Sequence, residues 1–336
     1  MTTINDNVGI ASLVRAALHL DPTDSVVLVL CSNGSSLATL RVDAQPQSEA
    51  SEFASAVAGI LSSISEPVDA TILVSYEGDK AMTFAQYDEL SQRLEAMGAP
   101  IAKAVLVTNG QIMDYHGDST DAVDYAEVYA NPFTLEAMLA SGPTRLADDA
   151  PQCTEATPVT EEAKADRMAE LAGEDYLSLA DRGVIAFARQ LGHDMMHQIA
   201  RYLDQGKVTE DMAGWIAGTY ALHMGRDTAT AALAGTASTK QELSALLIGD
   251  TFIEDRKIFD AGAAMLYEAL EFLAGDDRPN VLAALGWARW MAGQGTEAMK
   301  FLDQALAIDP EHRLSHLQRQ LFTSGKLPKS ASTPDK

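Results

Sequence analysis

Apolar residues recur at helical spacing over residues 8–20, where Ile10, Leu13, Val14, Ala17 and Leu18 fall on one face. Asp21-Pro22-Thr23-Asp24 stops that pattern, because Pro22 cannot continue the hydrogen-bond ladder and turns Asp21 away from helical backbone. The run 25–31 is continuously apolar and short, which predicts a buried strand. Asn33-Gly34 then predicts a tight turn into a returning strand over 37–42. Helical spacing resumes over 48–64 with Phe53, Val57, Ile60, Leu61 and Ile64, and 71–76 reads as a further buried strand. Thr83 is placed to cap a helix over 84–97 that Gly98 ends. Residues 102–107 and 112–116 flank Asn109-Gly110, a second hairpin signal.

This order predicts about five strands in a mixed sheet with packed helices, and two hairpins do not fit a pure Rossmann arrangement. Residues 125–130 lead into Asn131-Pro132, followed by a short helix over 134–140. The segment 144–160 carries two prolines and few apolar residues. From 161 to 322 only helical periodicity is present, broken by Gly-, Pro- or Asp-containing turns at about 172–176, 190–193, 204–209, 223–227, 235–239, 248–257, 273–279, 292–296 and 307–312. The expected fold is thus α/β plus all-α. A mixed α/β domain spans 1–145, a linker 146–160, an all-helical domain 161–324 and a flexible tail 325–336.

Charge narrows the functional classes. Of 336 residues, 48 are Asp or Glu and 24 are Lys or Arg, a formal charge of −24. Phosphate backbones and anionic membrane surfaces are bound through clustered cations, so neither is an expected partner. No apolar run is long enough to span a bilayer. The opening MTTINDNVGI lacks a basic region followed by an apolar core, so a cytoplasmic location is expected. Cys31 and Cys153 lie far apart and read as free thiols.

The candidate chemistry is sparse. His193 and His197 share a helical face at i,i+4, but a metal site needs further ligands, such as His223 or Asp204, from elsewhere. His312 and His316 repeat that spacing beside Arg313 and Arg319, which disfavour a cation. No metal or other cofactor is expected. Asp114, Tyr115, His116 and Asp118 form the densest polar cluster. Strand alternation places Asp114 and His116 on one face, where Asp43 would have to approach them for acid–base work. Arg41 and Asp43 alternate about Val42 and can form a surface pair. Gly34 and Gly110 fit turns and no phosphate-binding pattern; Ser32 and Ser75 lack a nucleophile-elbow context. Trp287 and Trp290, three apart, cover one stripe of a helix; turned inward they pack as core or domain contact, and exposed they mark a partner surface on the helical domain.

Two resemblances add to this. Leu285-Gly286, Ala298, Leu302, Ala305 and Pro310 have the spacing of one tetratricopeptide repeat, in which small residues let two antiparallel helices approach. A single repeat is fewer than an independent solenoid requires.

The second resemblance covers most of the chain. Ala16-Ala17-Leu18 running into 20–29, Arg41-Val42-Asp43, Ile72–Tyr76 and the stretch 283–310 with Trp290 and its closing Ala305-Leu306-Ala307-Ile308-Asp309-Pro310 together resemble the DUF4192 family. Thr23, between Pro22 and Asp24, departs from that family's usual turn. The resemblance implies an actinobacterial or actinophage origin and brings no established activity. The expectation is therefore an acidic interaction or adaptor protein without catalysis, binding a partner with a basic or apolar surface, in an oligomeric state left open. The alternatives are a small-molecule enzyme with a cleft between sheet and helices, and a structural or assembly subunit, possibly of a phage.

Overall fold

The computed structural model describes residues 6–18, 21–62, 64, 67–117, 119–132, 134, 146–173 and 183–331. The chain divides into two compact units. One is drawn from residues 1–144 with 325–327, the other from 145–324 with 328–330.

The first unit is a six-stranded mixed sheet in the order β2-β1-β3-β4-β5-β6. Its strands are β1 (Ser25–Ser32), β2 (Ser35–Asp43), β3 (Ala70–Glu77), β4 (Ile101–Thr108), β5 (Gln111–Asp114) and β6 (Val123–Asp124). Only β3 and β4 run parallel, joined by a helical crossover; the other neighbours are antiparallel. Asn33 and Gly34 (φ 52° and 73°) and Asn109 and Gly110 (φ 50° and 73°) take the left-handed conformations that two-residue hairpins require. The sixth strand, two residues long, goes beyond the five expected from the sequence; no apolar alternation announces so short an edge.

Alternation along β1 splits the core into two layers. Val26, Leu28 and Leu30 face α2 (Ala50–Leu61) and α3 (Phe84–Ala96), whose Phe53, Val57, Leu61, Leu90 and Leu94 cover them. Val27 and Val29 face the opposite layer, with Ile10 and Val14 of α1 (Asn7–Leu18) and Val128 of α4 (Ala126–Ala130). Thr83 caps α3 with a reciprocal capping box through Gln86. The short helix expected over 134–140 lies outside the described residues, apart from Thr134.

The second unit is helical: α5 (Pro158–Leu171), α6 (Val184–Gln205), α7 (Glu210–Ala221), α8 (His223–Ala234), α9 (Lys240–Leu247), α10 (Arg256–Ala269), α11 (Arg278–Met291), α12 (Gly295–Ile308) and α13 (Arg313–Thr323). The break expected between residues 190 and 193 is absent, and α6 runs straight through Gly192. One helical glycine costs about 1 kcal/mol, which the buried face of Phe187, Leu191, Met195, Ile199 and Tyr202 outweighs. Helices α5 and α7 approach so closely that a Cβ on Gly214 would lie 2.3 Å from the Thr160 carbonyl oxygen.

Two segments expected to be loose are anchored. Among residues expected in the linker, Ala147 is fully buried. Its N–H donates to Glu297 Oε2 (2.9 Å) and its carbonyl accepts from Gln304 Nε2 (2.6 Å). Tyr267 Oη donates to the Leu146 carbonyl, Arg278 Nη2 to that of Pro151, and Lys300 Nζ reaches Asp148. Of the expected tail, Leu327 packs in the first unit's core, Lys329 N–H donates to the Gly249 carbonyl, and Ser330 Oγ to that of Met291.

Candidate functional site

The turn after α1 gathers polar contacts from several elements of the first unit. Pro22 ends the helix and leaves the Asp21 carboxylate at its end. That carboxylate accepts from Arg15 Nε (2.8 Å), Tyr125 Oη (3.1 Å) and Tyr129 Oη (2.8 Å). The Arg15 guanidinium lies 4.7 Å from the Tyr129 ring centre, and Tyr76 meets Tyr125 edge-on. Burial, and then the neighbouring Tyr125 and Asp21, hold the Tyr76 phenol well above its ordinary pKa. Burial followed by Asp21 does the same for Tyr125. The Tyr125 and Tyr129 phenols are neutral donors to Asp21, and the Tyr76 phenol is buried in neutral form. Asp24, at φ 48°, accepts the Lys80 N–H (2.7 Å) and through its carbonyl the Ala44 N–H (2.7 Å), while Arg41 Nη2 donates to the Thr23 carbonyl. The turn is a structural pin joining α1, β2, α4 and the loop before α3. Asp21 and Tyr129 are separated by 108 residues, so local patterning carried no sign of their meeting.

The residues weighed for acid–base work, Asp114, His116, Asp43 and Arg41, are not brought together. β5 ends at Asp114, and the Gly117 N–H closes a turn onto the Asp114 carbonyl (2.9 Å), which breaks the alternation that was to put both residues on one face. Asp114 turns to Lys103 Nζ and Asn7 Nδ2, which hold its carboxyl below the usual range. His116 instead joins the rings of Phe84, Tyr87 and Tyr115. Asp43 is on edge strand β2, with β1, β3 and β4 between it and β5, a separation on the order of 19 Å. It pairs with Arg41 at 3.5 Å.

That aromatic group is a feature sequence spacing did not reveal. Tyr87 and Tyr115 stack at 4.7 Å between centres, His116 meets both edge-on, and Phe84 lies roughly parallel to His116 at 6.2 Å. Phe84 is 69% exposed, the most exposed of the large apolar side chains described, and His116 is exposed as well. Burial, then the charge of Glu77, pushes the Tyr115 pKa up to about 12, and Asp88 acts in the same direction on Tyr87 and Tyr115. Helical spacing puts Phe84, Tyr87, Leu90, Leu94 and Met97 on one apolar face of α3, and the structure corrects this at its two ends, where Phe84 and Met97 lie exposed while Leu90 and Leu94 are buried.

In the helical unit the tryptophan pair takes its core reading, and its alternative use as a partner surface is corrected. Trp287 and Trp290 are 1% and 3% exposed. The Trp287 indole N–H donates to the Leu247 carbonyl (2.9 Å), and Trp290 stacks on Phe322. They are core residues of a helix buried on nearly every side. His193 and His197 stand exposed on the outer face of α6, and the intervening Asp194 turns to Arg167 Nη2 (3.0 Å). No three His, Cys, Asp or Glu side chains converge as metal ligands among the described residues. His312 is engaged through Nε2 with Asn280 Oδ1 (3.0 Å) and through Nδ1 with Ser315 Oγ (2.8 Å). Burial, then Asp69, raises the Cys31 thiol pKa, which lowers its reactivity. No described helix is long and apolar enough to cross a membrane.

No curated protein and no solved structure matches this chain. The family model described as a domain of unknown function (DUF4192) matches residues 16–329, from within α1 to beyond α13. It takes in the Asp21–Asp24 turn, both units and the anchored 146–151 segment, and the chain belongs to that actinobacterial and actinophage family.

Proposed function

We propose that this protein is a non-catalytic interaction protein whose partner surface is the aromatic patch of Phe84, Tyr87 and His116. The observation that carries this reading is the exposure of Phe84 at the start of a well-capped helix, stacked in a group of rings that continues into the core through Tyr115. Large rings with one face anchored and one face in water are the kind of residue that dominates binding energy at protein interfaces. The acidic balance of −24 favours a partner with a basic surface. The carboxylates and imidazoles weighed for chemistry fit structural roles: Asp21 and Asp24 as pins, Asp114 as an ion pair, His312 as a link between helices.

A weaker observation points the same way. The tetratricopeptide-like hairpin of α11 and α12, with α10, holds 146–151 mainly through its backbone, much as a bound peptide is held. The test is capture of a partner from an actinobacterial lysate by wild type and by Phe84→Ala, each with its melting curve. The reading expects a discrete partner lost in the variant at unchanged melting temperature. A partner retained at wild-type levels by Phe84→Ala refutes it.

A further inference from the structure

The chain solves one recognition problem repeatedly. In three separate places an arginine lies over an aromatic ring and pairs with a neighbouring carboxylate. Arg15 lies over Tyr129 (4.7 Å) and pairs with Asp21. Arg167 lies over Trp215 (4.5 Å) and pairs with Asp194 and Glu170. Arg256 lies over Phe259 (5.8 Å) and pairs with Asp260. A planar guanidinium suits such a place because it stacks on the ring and still directs N–H groups at the carboxylate.

The Phe84 patch has the same parts, and among the described residues no cation is stacked on its rings. Phe84, Tyr87 and His116 supply ring surface. Asp88 lies one helical turn beyond Phe84 on the same face of α3, and Glu77 closes β3 just before the loop that leads into that helix. Their charges act on the phenols of Tyr87 and Tyr115, and neither has an ion pair or side-chain hydrogen bond among the described residues. Glu77 is partly desolvated, which raises its pKa above the ordinary value, and a cation beside it would relieve that cost. Lys80, in the same loop, is exposed, and its ammonium makes no ion pair among the described residues.

We infer that the Phe84 patch binds an arginine side chain of a partner polypeptide, its guanidinium stacked on the exposed rings and paired with Glu77 and Asp88. This deepens the proposed interaction role and rests on it. The probe is acetyl-Gly-Arg-Gly-amide, titrated into the full-length protein and followed by NMR. Acetyl-Gly-Lys-Gly-amide and the norleucine peptide serve as comparisons. The expected result is saturable shifts confined to Phe84, Tyr87, His116 and their neighbours. Affinity should fall about three- to tenfold in Phe84→Ala and in the Glu77→Gln/Asp88→Asn double variant. The lysine peptide should bind more weakly and the norleucine peptide not measurably. Lysine or norleucine binding as tight as arginine, shifts of undiminished size in either variant, or no shifts at the patch overturns the assignment. If the arginine peptide fails while Phe84→Ala still abolishes capture of the cellular partner, only the guanidinium assignment falls. If Phe84→Ala also leaves capture intact, the interaction reading falls with it.

Discussion

The two units treat the same residue types in opposite ways. In the α/β unit, Phe84 and His116 lie at the surface around a stacked tyrosine pair, with unpaired carboxylates nearby. In the helical unit, Trp287 and Trp290 are sealed inside, and charged groups such as Arg167, Arg278 and Glu297 are buried as fasteners. Arg278 illustrates the second use: its guanidinium takes the carbonyls of Leu270 and Leu273 at the end of α10 and that of Pro151. A large aromatic side chain is therefore informative about binding only once its surroundings are known. The helical unit spends its tryptophan pair on packing, and the α/β unit leaves a clustered set of rings open.

The largest expected effect separates the units by stability. Trp287→Ala removes a fully packed indole and leaves the Leu247 carbonyl without its donor, so urea unfolding should show a loss of roughly 3–5 kcal/mol. Phe84→Ala should stay within about 0.5 kcal/mol of wild type. Equal losses in the two variants would erase the distinction.

A middle-sized effect concerns the anchored segment. Glu297→Ala leaves the buried Ala147 N–H unpaired, at a cost of about 1–3 kcal/mol. Non-specific protease with mass-spectrometric mapping should find residues 146–152 resistant in wild type and cut early in the variant. Glu297→Gln, which keeps an acceptor oxygen, should recover part of the protection. Early cutting of the wild type at 146–152 would contradict the anchoring.

The smallest effect is a pH dependence of the helical unit. Burial, followed by the nearby Arg226 charge, lowers the His312 pKa from its ordinary 6.5; Asp309 acts in the opposite direction, while His316 and His223 add to the lowering. The unfolded chain then binds more protons than the folded one as pH falls through that value, so stability is full above it and declines on acidification. Between about pH 7 and 5.5, wild type should lose stability and His312→Asn should show a flatter profile. Parallel profiles would remove His312 from the account.

Much of the fold was legible because it depends on short-range pattern. The Asn-Gly hairpins, the buried strands, the capped helix at Thr83 and nearly every helix of the second unit follow from spacing and turn chemistry. The site was far less legible, because each part of it joins distant stretches: Phe84 with His116, Asp21 with Tyr129. The core reading of the tryptophan pair was legible as well. The α11 sequence is apolar almost all round, from Val281 to Met291, and such a helix is buried rather than half-exposed. A partner surface on Trp287 and Trp290 needed one of those faces open. The merging of two expected helices into α6 has a different cause, since tertiary burial of its apolar face overrides the weak local signal of Gly192.

The central claim is that the chain's open aromatic surface lies at Phe84 and not at the tryptophan pair. Hydroxyl-radical footprinting of the full-length protein, read residue by residue by mass spectrometry, tests this directly. The account predicts rapid labelling of Phe84 and His116, with Trp287 and Trp290 protected until the helical unit unfolds. Rapid labelling of the two tryptophans in the folded protein, with Phe84 protected, would contradict it.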